Sequence, residues 1–289
     1  MIWAFFALAA SLISGIHNVL KKSVLLKENT FEFLTILYLL SFLLILPFAR
    51  QVNIVSPNIF AWILLRALVI FVAAISFHKA FKHMDISVVM PLTNIRLLFV
   101  LLFGFLFLGE TASGIQLIGI FGIVFGSYLL EVDGKVKNYK RPIEEFMKSK
   151  YMHYLLLFSV FSAFSSIITK HVLTDIKPLD LLFYHFSITV VVYVFLTFVL
   201  YGGFKDISEG WNIAGPWIFL IAILGIAALF LLFSAYADPN GKVVLIVPLL
   251  QVSVLFNILV GGKMYHEKHI FIRLLSGLII IGGVVFLFV

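Results

Sequence analysis

Stretches of about twenty predominantly apolar residues follow one another from Ile2 to Val289, with mostly short polar connections between them. A helix of that length crosses the ~30 Å hydrocarbon core of a bilayer. Ten such spans are expected, near residues 2–20, 31–49, 59–78, 86–108, 113–130, 152–169, 180–200, 214–236, 243–262 and 270–288. A water-soluble fold is excluded, because only 12% of the residues are charged and 62% are hydrophobic, against ~25% charged in a soluble domain. The first span lacks a basic leader and a small-residue cleavage site, and is read as a helix of the protein rather than a signal peptide. With no cysteine, disulfides and thiolate metal sites are ruled out.

Two segments share their punctuation. One runs from Pro91 to Glu110 (PLTNIRLLFVLLFGFLFLGE), the other from Pro248 to Glu267 (PLLQVSVLFNILVGGKMYHE). Each places an amide three residues after the proline (Asn94, Gln251), a glycine thirteen after it (Gly104, Gly261) and a glutamate nineteen after it. A shift of 157 relates these segments, and a shift of 148 puts Ser11 on Ser159, Ser14 on Ser162 and Lys22 on Lys170. The chain thus divides into a first five-helix repeat (1–130), a polar linker (131–150) and a second five-helix repeat (151–289). Five spans is an odd number, so the second copy enters the membrane from the opposite side. The expected fold is all-α and integral to the membrane, with two inverted repeats of the kind found in transporters.

Loops after odd-numbered spans carry fourteen Lys and Arg residues, and loops after even-numbered spans carry four. The positive-inside rule then puts both termini outside the cytoplasm and residues 131–150 inside it. The formal net charge of +7 reflects this bias and contact with anionic headgroups, not nucleic-acid binding.

The paired Pro-to-Glu segments, with Leu108-Gly109-Glu110 followed by Gln116, Gly119, Gly122 and Gly126, resemble the EamA-like branch of the drug/metabolite transporter superfamily. The second copy is looser, with Met264-Tyr265-His266 before Glu267 and then Gly277, Gly282 and Gly283. The resemblance covers nearly the whole chain. It implies ten spans in a cell membrane, a cavity lined by spans 1, 3, 4, 6, 8 and 9, and termini in the cytoplasm, the last in conflict with the charge bias.

Candidate substrate-binding residues are polar groups at depth. Asn94 and Gln251 lie one turn past a proline, whose missing N–H leaves a carbonyl free nearby. Each amide can meet a solute or a neighbouring helix. Arg96 can hold a carboxylate or phosphate with its planar fork, or serve a buried carbonyl. Arg66 lies nearer a span end, where it can snorkel or meet substrate. His17 and Asn18, near the end of span 1, are an interfacial pair or cavity residues. His185, with Tyr184, is deeper but on a peripheral span. Glu110 and Glu267 are candidates for coupling acids or for caps of the helices they precede, with capping the preferred reading, and the repeated glycines are read as packing positions.

No motif for a metal, nucleotide or cofactor is present, so neither an enzyme nor a cofactor is expected. The reading is a secondary transporter of a small polar metabolite, an amino acid or organic anion, working by alternating access with or without a coupling proton or ion. A membrane-embedded lipid-handling protein or enzyme is the alternative, with a lipid phosphate at Arg66 or Arg96. The expected partners are a small-molecule substrate and the lipid bilayer, and no nucleic acid.

Overall fold

The computed structural model describes residues 2–25, 30–83, 93–131, 151–200, 215–253 and 270–289. Pro91, Gly261, Glu267 and all but the first residue of the expected linker lie outside the described residues. Within them are ten α-helices: α1 (Ile2–Leu25), α2 (Thr30–Ile45), α3 (Pro57–His83), α4 (Arg96–Leu108), α5 (Gly114–Glu131), α6 (Met152–Val172), α7 (Pro178–Leu200), α8 (Trp217–Ala237), α9 (Val243–Leu249) and α10 (Ile270–Phe286). A 3-10 turn, Leu46–Gln51, follows α2 directly. Among the described residues, five segments are both long and apolar enough to cross a membrane by themselves: Phe33–Gln51, Pro57–Phe77, Met152–Val172, Pro178–Val199 and Trp217–Ala237.

Local chemistry sets the helix ends. Pro57 and Pro178 open α3 and α7, where the missing N–H is not needed. Gly109 closes α4 in the left-handed conformation (φ 63°), and the Glu110 N–H returns to the Gly104 carbonyl at 3.0 Å. Ser113 and Gln116 then form a reciprocal cap at the start of α5: the Ser113 N–H donates to Gln116 Oε1 (3.0 Å) and the Gln116 N–H to Ser113 Oγ (3.2 Å). Large apolar side chains such as Phe105, Phe125 and Phe195 face outward, as a lipid-facing surface requires.

Helix pairing has the symmetry that a duplication dictates. α1 packs on α8, and its repeat mate α6 packs on α3, the mate of α8. α4 packs on α6, and α9 on α1. α2 pairs with α7 and α5 with α10, each with its own mate. Exchanging the halves maps these contacts onto themselves. With five helices in each half, that is the inverted five-helix duplication the sequence predicts.

α5 and α10 cross with backbone close against backbone. A Cβ at Gly119 would lie 2.6 Å from the Gly283 carbonyl oxygen, and a Cβ at Gly283 would lie 2.6 Å from that of Gly119. A Cβ at Gly126 would come within 2.7 Å of Ile280 Cγ1. In lipid, where apolar burial supplies no driving force, such close approach provides the dispersion contact that holds helices together.

Candidate substrate site

Both proline-bearing segments lose regular helix at matched positions. In the first repeat Asn94 and Ile95 form a turn, and α4 starts at Arg96. There the Leu97 N–H donates to the Asn94 carbonyl (2.9 Å) and the Leu98 N–H to that of Ile95 (3.0 Å). In the second repeat α9 stops at Leu249, and Leu250 and Gln251 form the turn. The Gln251 N–H reaches the Pro248 carbonyl at 3.0 Å, and the Ser253 N–H that of Leu250 at 3.1 Å. Asn94 and Gln251 are thus repeat mates sitting at the two breaks. The Leu250 carbonyl is taken up by two hydroxyls, Ser253 Oγ (2.6 Å) and Ser11 Oγ of α1 (3.1 Å). Irregular backbone inside a bundle is tolerated where side chains or a cavity satisfy it, and such breaks mark transporter sites.

Arg96 leads out of the first break. Its Nη1 donates to Ser162 Oγ of α6 at 3.2 Å. That is its one hydrogen bond among the described residues, so most of its five donors are left for something else. Its side chain is part-buried, and Asn94 beside it is buried with no side-chain hydrogen bond among the described residues.

Arg66 of α3 is held differently. Nε donates to Thr169 Oγ1 of α6 at 2.7 Å, and Thr169 passes its own hydrogen to the Ser165 carbonyl at 2.7 Å. Nη1 donates to His185 Nδ1 of α7 at 3.2 Å, which places the imidazole hydrogen on Nε2. The guanidinium also lies 5.1 Å above the ring centroid of Phe233 on α8, close enough for cation–π attraction.

Tyr236, near the end of α8, is buried within electrostatic reach of both guanidiniums, of Ser166 and of the Glu110 carboxylate. No carboxylate bears directly on either arginine among the described residues. Two cations, hydroxyls from Ser162, Thr169 and Tyr236, and no acid partner in contact make an electropositive cluster within the bundle.

One end of the bundle is latched across the repeats. Glu110 Oε2 accepts the Val244 N–H at 3.0 Å, capping α9 in the other repeat. Lys242 Nζ donates to the Thr111 carbonyl at 2.9 Å. Lys170 Nζ donates to the Tyr236 and Asp238 carbonyls, both at 2.8 Å, where α8 ends and its dipole favours a cation. Asp180, almost fully buried, accepts the Asn53 backbone N–H at 2.9 Å, its Nδ2 at 3.2 Å and the Lys177 N–H at 3.2 Å. That ties the connection before α3 to the start of α7. Truncating Glu110 to Ala leaves the Val244 N–H without its acceptor, a loss of about 1 kcal/mol for a cap. Glu110→Ala is therefore expected to melt in detergent below Glu110→Gln, which keeps an acceptor oxygen.

The structure joins some of the sequence candidates and separates others. Arg66 and Arg96 share the Tyr236 cluster. Burial of Arg66, only 3% exposed, overturns snorkelling: α3 begins at Pro57, so Arg66 is more than two turns inside it. His185, on a span taken as peripheral, meets Arg66 directly. Glu110 caps α9 rather than the helix that follows it, because Gly109 turns the chain toward the other repeat. Gln251 is part-buried beside Ser11 and Ser253. His17 and Asn18 pair with each other at 3.4 Å, with the His17 ring against Gly225 of α8, and hydrogen-bond no member of the arginine cluster. Tyr236 and Thr169 escaped the sequence reading. Their signal was weak, a hydroxyl near the end of an apolar span in each case.

The fold is that of an all-helical membrane protein built as two inverted repeats. The sequence matches the EamA-like transporter family over residues 1–132 and again over 149–289, one match for each half. The chain belongs to the EamA-like transporter family, and hence to the drug/metabolite transporter type of multi-pass membrane protein. A solved crystal structure aligns over 99% of this chain and 98% of its own with a TM-score of 0.72 at 14% identity, a likeness of fold. No curated protein sequence matches the chain.

Proposed function

We propose that this protein is a secondary transporter that moves a small metabolite carrying a carboxylate or phosphate by alternating access. The observation that carries this reading is Arg96: a part-buried guanidinium at a helix break, with one hydroxyl partner and no contacting acid among the described residues. A buried cation is tolerated when something neutralises it, and a mobile anion is the available candidate. Arg96 takes the acidic group through its fork of donors, Asn94 and Gln251 contact the polar remainder from the two breaks, and Arg66 adds positive potential behind Tyr236. An amino acid or organic anion fits this arrangement.

The working orientation follows the loop charges, with both termini outside the cytoplasm. The latched end, formed by the connections around Glu110, Lys170 and Lys242, then faces outward. Green fluorescence from a reporter fused to Val289, without periplasmic phosphatase activity, would reverse this orientation.

A thermal-stability screen of the purified protein against small solutes tests the substrate class. Carboxylated or phosphorylated compounds should raise the melting temperature, and Arg96→Gln should abolish the rise. Stabilisation by cationic solutes alone would refute the reading.

A further inference from the structure

Ser11 and Ser159 occupy the same position in the two repeats, related by the shift of 148, and Leu250 and Thr93 are mates by the shift of 157. The two serines are treated differently. Ser11 Oγ donates to the Leu250 carbonyl at 3.1 Å, joining α1 of the first repeat to the helix break of the second. Ser159 is fully buried in α6, and its Oγ has no hydrogen-bond partner among the described residues. Ser162, one turn further along α6, receives Arg96 from α4, and Arg96 is three residues past Thr93. The α6 face carrying Ser159 thus runs beside the first break, as α1 carrying Ser11 runs beside the second.

A buried hydroxyl without a partner is costly and seldom left so. In an inverted repeat the cost has a specific meaning. If the two halves hold different conformations in one state, exchanging those conformations generates a state that opens to the opposite side. A contact made in one half and missing from the other then belongs to one state each.

We propose that Ser11 and Ser159 are a matched pair of positioning residues that select the side to which the substrate site opens. The Ser11–Leu250 hydrogen bond holds the state described here, and a Ser159–Thr93 carbonyl bond holds the oppositely open one. Each serine acts through the backbone at a break and so sets where Asn94, Arg96 and Gln251 stand. The exchange leaves one hydroxyl unpaired in either state, which keeps the two states near in energy and the equilibrium reversible.

The chain has no native cysteine, so one introduced thiol is a clean reporter. Val244, 1% exposed beneath the Glu110 latch, is sealed in this state and opens when the latched end parts. In a Val244→Cys background, labelling of the folded protein by a membrane-impermeant maleimide should rise with Ser11→Ala and fall with Ser159→Ala, the ratio of open to sealed protein moving roughly fivefold in opposite directions, the weight of one ordinary hydrogen bond. The double variant should return near the parent rate. Should Ser11→Ala fail to accumulate, Ser159→Ala decides alone. Equal-sign shifts, or no fall with Ser159→Ala, would overturn the proposal. It rests on alternating access, but the readout needs no substrate. A misplaced substrate site would leave the opposed shifts intact, whereas a wrong serine assignment would leave labelling flat while Arg96→Gln still altered transport.

Discussion

Replacing Gly119 or Gly283 with leucine is expected to remove most of the protein from the folded membrane fraction. At both positions a Cβ alone would stand 2.6 Å from a backbone carbonyl oxygen of the facing helix. A flexible side chain can swing away from such a clash, but backbone cannot, so α5 and α10 must separate. Overpacking a well-filled interior costs about 1–3 kcal/mol, and more when backbone lies opposite. Separation also breaks the Gln116 Nε2 bond to the Leu287 carbonyl (3.4 Å). The control lies on the same two helices. A Cβ at Gly282 meets nothing within 4 Å, and one at Gly122 meets Gly283 Cα at an ordinary 3.7 Å. Alanine at either position should be tolerated, and should even raise stability slightly through its better helix propensity. Size-exclusion profiles of fluorescent fusions at matched expression would show the contrast. Normal monodisperse peaks for both leucine variants would refute close packing at this crossing.

The second large effect is functional. Arg96→Gln should accumulate normally, because Arg96 contributes a single hydroxyl contact to the described fold. Its apparent transport constant for an anionic or zwitterionic solute should rise about ten- to a hundredfold, the ~1.5–3 kcal/mol of a charge-assisted hydrogen bond. Arg96→Lys should recover part of the loss, since an ammonium keeps the charge but not the bidentate fork. Arg66 behaves otherwise. It is tied to Thr169, His185 and Phe233, so its removal strands partners on three helices and should lower folded yield before any kinetic change is measurable. Uptake kinetics in cells at matched folded protein separate the two cases. An unchanged constant in Arg96→Gln would reduce Arg96 to a partner of Ser162.

The architecture was legible in the sequence because membrane folding relies on coarse signals. Span length, hydropathy and repeated punctuation give ten helices and their inverted pairing without knowledge of any side-chain contact. Glycine spacing marked close-packing positions on α5 and α10, but not that these two helices meet each other, since spacing names no partner. Proline and amide spacing singled out Asn94 and Gln251 as matched positions beside freed backbone, while the loss of regular helix at them was not foreseen. The contacts of single polar residues were less legible. Arg66 looked close to a span end because its place in the sequence does not reveal how α3 packs on α6. His185 was underrated because α7 is peripheral along most of its length, yet presents one residue to Arg66. Glu110 was recognised as a cap, but the helix it caps is distant in sequence, and only the turn at Gly109 aims it there. Each miss concerns a contact between elements far apart in the chain, where local pattern carries no information.

Counterflow in proteoliposomes containing only this protein tests most directly whether the cluster at the two helix breaks carries anions. Vesicles preloaded with an unlabelled carboxylated or phosphorylated solute that stabilises the purified protein should accumulate the same labelled solute transiently and saturably. Arg96→Gln vesicles should need a roughly ten- to hundredfold higher concentration for half-maximal exchange. Counterflow of cationic or neutral solutes only, equally strong in wild type and Arg96→Gln, would contradict an anion site at Arg96.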